Sequence, residues 1–205
     1  MRDNRNYALD DPGAVRELIR HNPWCTFVSS VPGRGLVASH YPVILDDAAD
    51  GIVLLSHVGR PDERLHELGG HEMLAIFQGP HGYISPGWYG GAIAVPTWNF
   101  AVVHAHGTPE LLDEAANLDV LARLVDHFED RLPNPYRLRA TPEVAAYAER
   151  IVHGTVGFRM PVTRFEAKDK MSQDLPEAVI GNVIEALRRP GPYRNPELAR
   201  RMERS

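Results

Sequence analysis

Ser56, His57 and Arg60 stand within five residues of one another, where the apolar run GIVLLSH enters the turn VGRP. A hydroxyl, an imidazole, a guanidinium and nearby backbone N–H groups can together hold a phosphate. The same spacing also suits an ordinary solvated strand end. His104 and His106 are two apart in VVHAHG, so on a strand both side chains face one way. A metal site needs such a pair and a third ligand. The sequence offers no HExxH, no CxxC and no spaced acidic partner, so half-buried strand histidines are expected and no metal.

The densest feature is the stretch 76–104, rich in Gly, Pro and aromatics between apolar runs. Trp88, Tyr89, Trp98 and Phe100 fall within thirteen residues of a chain with only three Trp and six Phe. So much rigid apolar surface beside backbone breakers suits the wall of a pocket for a flat ligand. No GxGxxG, GxxxxGK[ST] or GxSxG occurs, which removes the common dinucleotide, P-loop and hydrolase signatures. From residue 188 onward six arginines face two glutamates. Such basic C-terminal arms can touch DNA phosphates, although a solvated terminal helix explains them as well.

These residues must be carried by a scaffold that the composition bounds. The chain has 205 residues, 43% hydrophobic and 24% charged, which suits one globular domain over residues 1–205. A net charge of −5 provides no global field for nucleic acid. The one cysteine, Cys25, sits in the apolar run WCTFVSS and is expected to be a small core side chain. A lone thiol fits a cytoplasmic setting, and no membrane-spanning run or signal-peptide pattern is present.

Asp11 and Pro12 open a helix over 11–21. Strands are predicted at 24–31, 36–45, 51–57, 72–78, 99–107 and 154–167, with a short helix or turn at 61–68. Helical spacing predicts helices at 113–131, 142–151 and 176–188, and a last one at 197–204. Helices appended to short strands, without βαβ alternation, argue for an antiparallel barrel or α+β fold with a helical C-terminal extension from about 176 to 205.

Four stretches together resemble the PaiB-type FMN-binding negative transcriptional regulators, within the pyridoxamine-phosphate-oxidase-like split-barrel group. They are GLVASHYPV (35–43), FQGPHGYISPGWY (77–89), VPTWNFAVVHAHGT (95–108) and GTVGFRMPVTRFEAKDKMSQ (154–173). The resemblance implies a mainly β, α+β split barrel of six strands that forms a homodimer, with FMN in a cleft between two chains. By position it implies that Ala38, Ser39 and His40 line the flavin ring. Ser56, His57, Val58 and Arg60 fall at the phosphate turn, Trp98 and Asn99 in the PTWN block, and Lys170, Ser172 and Gln173 in the last motif.

Two places depart from the family pattern. Asp62 and Glu63 stand where the family has Asn-Pro, and Asp174-Leu175 where it has Asn-Arg. Both changes make the local field more negative and are expected to loosen the hold on a phosphate dianion. The implied function is an FMN-binding regulator. The alternatives are a flavin-dependent oxidoreductase or flavin reductase, and a haem-related binder using His104 or His106.

Overall fold

A computed structural model describes residues 5–91 and 94–204; Met1–Asn4, Ala92, Ile93 and Ser205 lie outside the described residues. In chain order the elements are α1 (Pro12–His21), β1 (Trp24–Val31), β2 (Gly35–Pro42), β3 (Ile44–Leu45), β4 (Val53–Gly59), α2 (Arg60–His66), β5 (Met73–Ile84) and β6 (Thr97–Gly107). They continue as β7 (Glu110–Leu111), α3 (Glu114–Glu129), α4 (Pro142–Ile151), β8 (Thr155–Pro161), β9 (Arg164–Lys170), α5 (Glu177–Arg188) and α6 (Pro196–Met202). One sheet has the order β2-β1-β5-β6-β9 and the other β3-β4-β8-β7. Two compact units are present: Met1–Leu18 with Gln78–Val103 and Glu166–Ser205, and Ile19–Phe77 with His104–Phe165.

In the second unit, β1 alternates, burying Cys25, Phe27, Ser29 and Val31. It pairs antiparallel with β2, from Trp24 opposite Pro42 to Val31 opposite Gly35. Gly33 and Gly35 adopt positive φ in the connecting turn, a conformation that side-chain-bearing residues rarely enter. β4 pairs antiparallel with β8, and Phe27 meets Phe158 edge-on at 5.5 Å in the core. Asp113 caps α3 by accepting from the Ala116 N–H at 2.8 Å. The α3 side chains Val120 and Leu124 pack on Ile44 and Leu55. α3 approaches β8 so closely that a Cβ on Gly157 would lie 2.6 Å from Asn117 Oδ1.

In the first unit, Asp11 caps α1 as predicted, accepting from the Ala14 N–H at 2.8 Å. β5 runs to Ile84, six residues beyond the predicted end. Gly79 and Gly82 read as breakers in the sequence but serve close packing. A Cβ on Gly79 would lie 2.7 Å from Leu18 Cδ1, and one on Gly82 2.9 Å from Leu198 Cδ2. Asn195 caps α6 by accepting from the Leu198 N–H and donates to the His81 carbonyl at 2.9 Å. The predicted long strand 154–167 is two strands, β8 and β9. The break falls at Val162 and Thr163, whose N–H groups bond the Ile52 and His106 carbonyls. The implied six strands become nine among the described residues, two of them only two residues long.

Candidate functional site

The candidate residues fall into two groups, one in each unit. In the second unit they lie on β2 and at the end of β4. Ala38 and His40 point outward from β2, and His40 stacks on Trp24 with ring centroids 6.4 Å apart. Ser39 points inward and bonds His66 Nε2 at 3.0 Å; His66 Nδ1 in turn bonds Ser29 Oγ at 2.9 Å. Burial lowers the pKa of His66, a nearby Asp62 opposes that in part, and a buried neutral ring tying β1, β2 and α2 together results.

Along β4, Ser56 and Val58 face the core, and the Ser56 hydroxyl donates to the Pro42 carbonyl at 2.7 Å. His57 faces the other way. Its Nδ1 is buried with no hydrogen-bond partner, the Tyr41 ring lies edge-on at 5.7 Å, and burial lowers its pKa. Arg60 is exposed, but its guanidinium bonds Glu63 Oε2 at 3.1 Å and the His153 carbonyl at 3.1 Å. Asp62 accepts from the Tyr41 hydroxyl at 2.5 Å. Both acidic residues that depart from the family pattern at this turn are thus bonded within it.

In the first unit Trp98 is 56% exposed. Its ring meets Tyr83 at 6.3 Å, Tyr83 meets Tyr193 at 5.1 Å, and Tyr193 meets Trp88 at 6.3 Å. Trp98, Tyr83 and Tyr193 line an open recess of about 340 Å³, with His81 and Arg194 at its edge. The sequence reading missed Tyr193 and counted Arg194 only among the basic C-terminal arms; both lie some ninety residues from Trp98 in a Pro-rich stretch. Tyr89 is buried, whereas Trp88 belongs to the aromatic cluster.

Asn99 and Ser172 are buried against each other, with Asn99 Nδ2 donating to Ser172 Oγ at 2.9 Å. Lys170 bonds the Thr97 hydroxyl, and its ammonium lies 5.7 Å from the Tyr7 ring centroid. Gln173 holds the turn after β9, accepting from the Met171 N–H at 2.7 Å and donating to the Asp169 carbonyl at 2.6 Å. Asp174 accepts from the Tyr7 hydroxyl at 2.6 Å; burial first, and then this bond, push the Tyr7 pKa up to about 12.

The candidates therefore divide by availability. Ser39, Ser56, Asn99 and Ser172 spend their polar atoms inside the protein, the exposed Gln173 spends its amide on backbone groups, and Val58 is core. Trp98 offers an open aromatic face beside Arg194, and Ala38, His40, Arg60 and Lys170 offer a small apolar contact, an imidazole and two cations. An aromatic wall with cations beside it is what a flat ring carrying a phosphate requires, so Trp98, Tyr83, Tyr193 and Arg194 of the first unit fit FMN. His106 Nδ1 lies 3.6 Å from Glu72 Oε2, and no group of three metal-ligating side chains occurs among the described residues.

The fold is that of known flavoproteins. The chain is similar to the FAD and heme binding protein of Mycobacterium smegmatis, with a TM-score of 0.59 at 15% identity, covering 85% of this chain and 78% of that one. It is also similar to the flavocytochrome Anf3 of Azotobacter vinelandii, with a TM-score of 0.58 at 15% identity, covering 82% and 72%. These likenesses show a split-barrel fold. Residues 1–164 match the family described as "Putative FMN-binding domain", and the chain belongs to that family. It is 30% identical over 184 residues to the Protease synthase and sporulation protein PAI 2 of Bacillus subtilis (strain 168), covering 88% of this chain and 86% of the relative.

Proposed function

We propose that this PaiB-like FMN-binding protein acts in the cytoplasm as a homodimeric transcriptional regulator over its whole length, with the flavin ring against Trp98. The open aromatic recess of Trp98, Tyr83 and Tyr193, with Arg194 at its edge, carries this reading. In it, Lys170 of the first unit also contacts FMN, and Ala38, His40 and Arg60 are the second unit's own candidate contacts, while Ser39, Asn99, Ser172 and Gln173 hold the strands and turn within each unit. When bound, FMN supplies reversible redox chemistry or a redox signal. The residues of this chain bind and orient it.

The Bacillus relative is named for protease synthesis and sporulation, which supports a regulatory role. DNA would be met by the C-terminal arginines. Arg188, Arg189 and Arg201 are each paired with a carboxylate, so the basic surplus there is muted. The test is a mobility-shift titration of FMN-loaded protein. Salt-sensitive binding to one promoter fragment, but not to random DNA, is expected; equal binding to both contradicts regulation.

A second reading, flavin-dependent oxidoreductase, is favoured by the openness of the recess, with Trp98 56% and Tyr193 53% exposed. That leaves room for a second flat reactant. Bleaching of bound flavin by a reduced nicotinamide, with recovery in air, would support it.

A further inference from the structure

Residues 5–9 lie along β9, an edge strand of its sheet. They meet it at a single bridge, Ala8 opposite Lys168, and the Leu9 N–H donates to the Ala167 carbonyl at 3.0 Å. The short helical turn Arg5–Tyr7 buries no residue. Two further anchors are polar and exposed. The Tyr7 hydroxyl donates to Asp174 at 2.6 Å, and the Gln173 amide donates to the Asn6 carbonyl at 3.2 Å. A segment held with so little apolar burial belongs to the part of a fold that opens first.

The turn on which it docks is fixed much more firmly. Ser172 adopts φ 64°, a left-handed conformation that a side-chain-bearing residue keeps only where its surroundings impose it. Asn99 and Ser172 are buried and exchange two hydrogen bonds, at 2.9 and 3.1 Å. Lys170 meets both the firm part and the loose one. Its ammonium bonds the Thr97 hydroxyl on β6 and lies 5.7 Å from the Tyr7 ring centroid, within cation–π reach. A phosphate oxygen would hold the same ammonium by a charge-assisted hydrogen bond, which is stronger than a ring face. Ring and phosphate therefore compete for one cation.

We propose that residues 5–9 form a releasable strap that withholds the Lys170 ammonium from a phosphate-bearing ligand. This rests on the reading of Lys170 as an FMN contact. Asp174, which stands where the family pattern has Asn, is the catch: its carboxylate accepts the Tyr7 hydroxyl more strongly than an amide does. The coupling is reciprocal, so a bound phosphate opens the strap by the same factor as the strap weakens phosphate.

The test acetylates the full chain, whose only lysines are Lys168 and Lys170, with limiting acetic anhydride, reads the sites by mass spectrometry and titrates FMN in parallel. Tyr7→Ala removes the ring and the hydroxyl. Leu9→Pro removes the N–H that bonds Ala167 and leaves Tyr7 in place. In both, Lys170 is expected to react about two- to fivefold faster and FMN affinity to rise by a similar factor, with thermal unfolding still cooperative. Inorganic phosphate, added without FMN, should slow the acetylation of Lys170 more in the variants than in the wild type. Equal reactivity of Lys170 in the wild type and both variants would overturn the inference. So would a fall in FMN affinity in both, which would make Tyr7 a support of the cation rather than its mask. If no form binds FMN while phosphate still protects Lys170 in the variants, the FMN reading fails and the strap stands.

Discussion

The Tyr41 hydroxyl donates to Asp62 at 2.5 Å and accepts from the Gly59 N–H at 3.0 Å, tying the end of β2 to the turn after β4. Asp62 is one of the positions that depart from the family pattern, and its carboxylate is a strut of this turn. Burial, and then the bond to Asp62, raise the Tyr41 pKa, so the hydroxyl stays a donor at neutral pH. Asp62→Ala is expected to destabilise the fold by about 1–2 kcal/mol, because a charge-assisted, half-buried bond is lost. Urea unfolding checks this.

Glu63 is expected to act on binding instead. It engages Arg60 at 3.1 Å, and both groups keep solvent contact, so the pair contributes little to stability. Glu63→Gln removes a carboxylate from the turn and releases the guanidinium. FMN affinity is expected to rise about two- to fivefold, the effect of roughly 0.5–1 kcal/mol, while the unfolding midpoint moves little. A flavin titration at fixed ionic strength reads the difference.

Trp98→Ala and Tyr193→Ala each remove one exposed wall of the recess. Aromatic pairs are worth about 0.5–1.5 kcal/mol beyond area burial, so each variant is expected to lose roughly three- to tenfold in FMN affinity. Circular dichroism should be unchanged. Wild-type dissociation constants in both variants would place the ring elsewhere.

His66 supports the scaffold. Its two ring nitrogens bond Ser29 and Ser39 in the core. His66→Ala leaves two buried hydroxyls unsatisfied and opens a cavity, and about 2–4 kcal/mol of stability should be lost. Chemical denaturation measures it.

Three histidines, His57, His66 and His127, have lowered pKa values, each chiefly through burial. The unfolded chain takes up their protons near pH 6.5 and the native chain only at lower pH. Their contribution is therefore fully present above about pH 6.5 and is lost as pH falls towards the native pKa values. The slope is at most about 1.4 kcal/mol per pH unit for each histidine. Thermal melts between pH 7.5 and 5 should show stability falling on acidification, less steeply in His66→Asn.

Much of this was written in local sequence. Asp11, Asp113 and Thr141 mark helix starts through the N–H groups they cap, and α4 lies where the spacing put it. Cys25 is the core thiol that its apolar run suggested, and burial holds its pKa far above the usual range. What local reasoning missed is set by partners distant in sequence. Gly79 and Gly82 looked like breaks because the crowding helices lie elsewhere in the chain. The 76–104 wall of the recess was legible, but its other wall was not, because Tyr193 reaches Tyr83 from a stretch more than a hundred residues away. Likewise, alternation on β4 separates His57 from Ser56 and Val58, whereas the motif treats them as one group.

The most direct measurement is a flavin-fluorescence titration of the purified chain. Quenching that saturates at one FMN per chain, together with quenching of tryptophan emission that Trp98→Phe diminishes, is the predicted result. Isoalloxazine fluorescence unchanged at protein concentrations far above that of FMN would contradict the account.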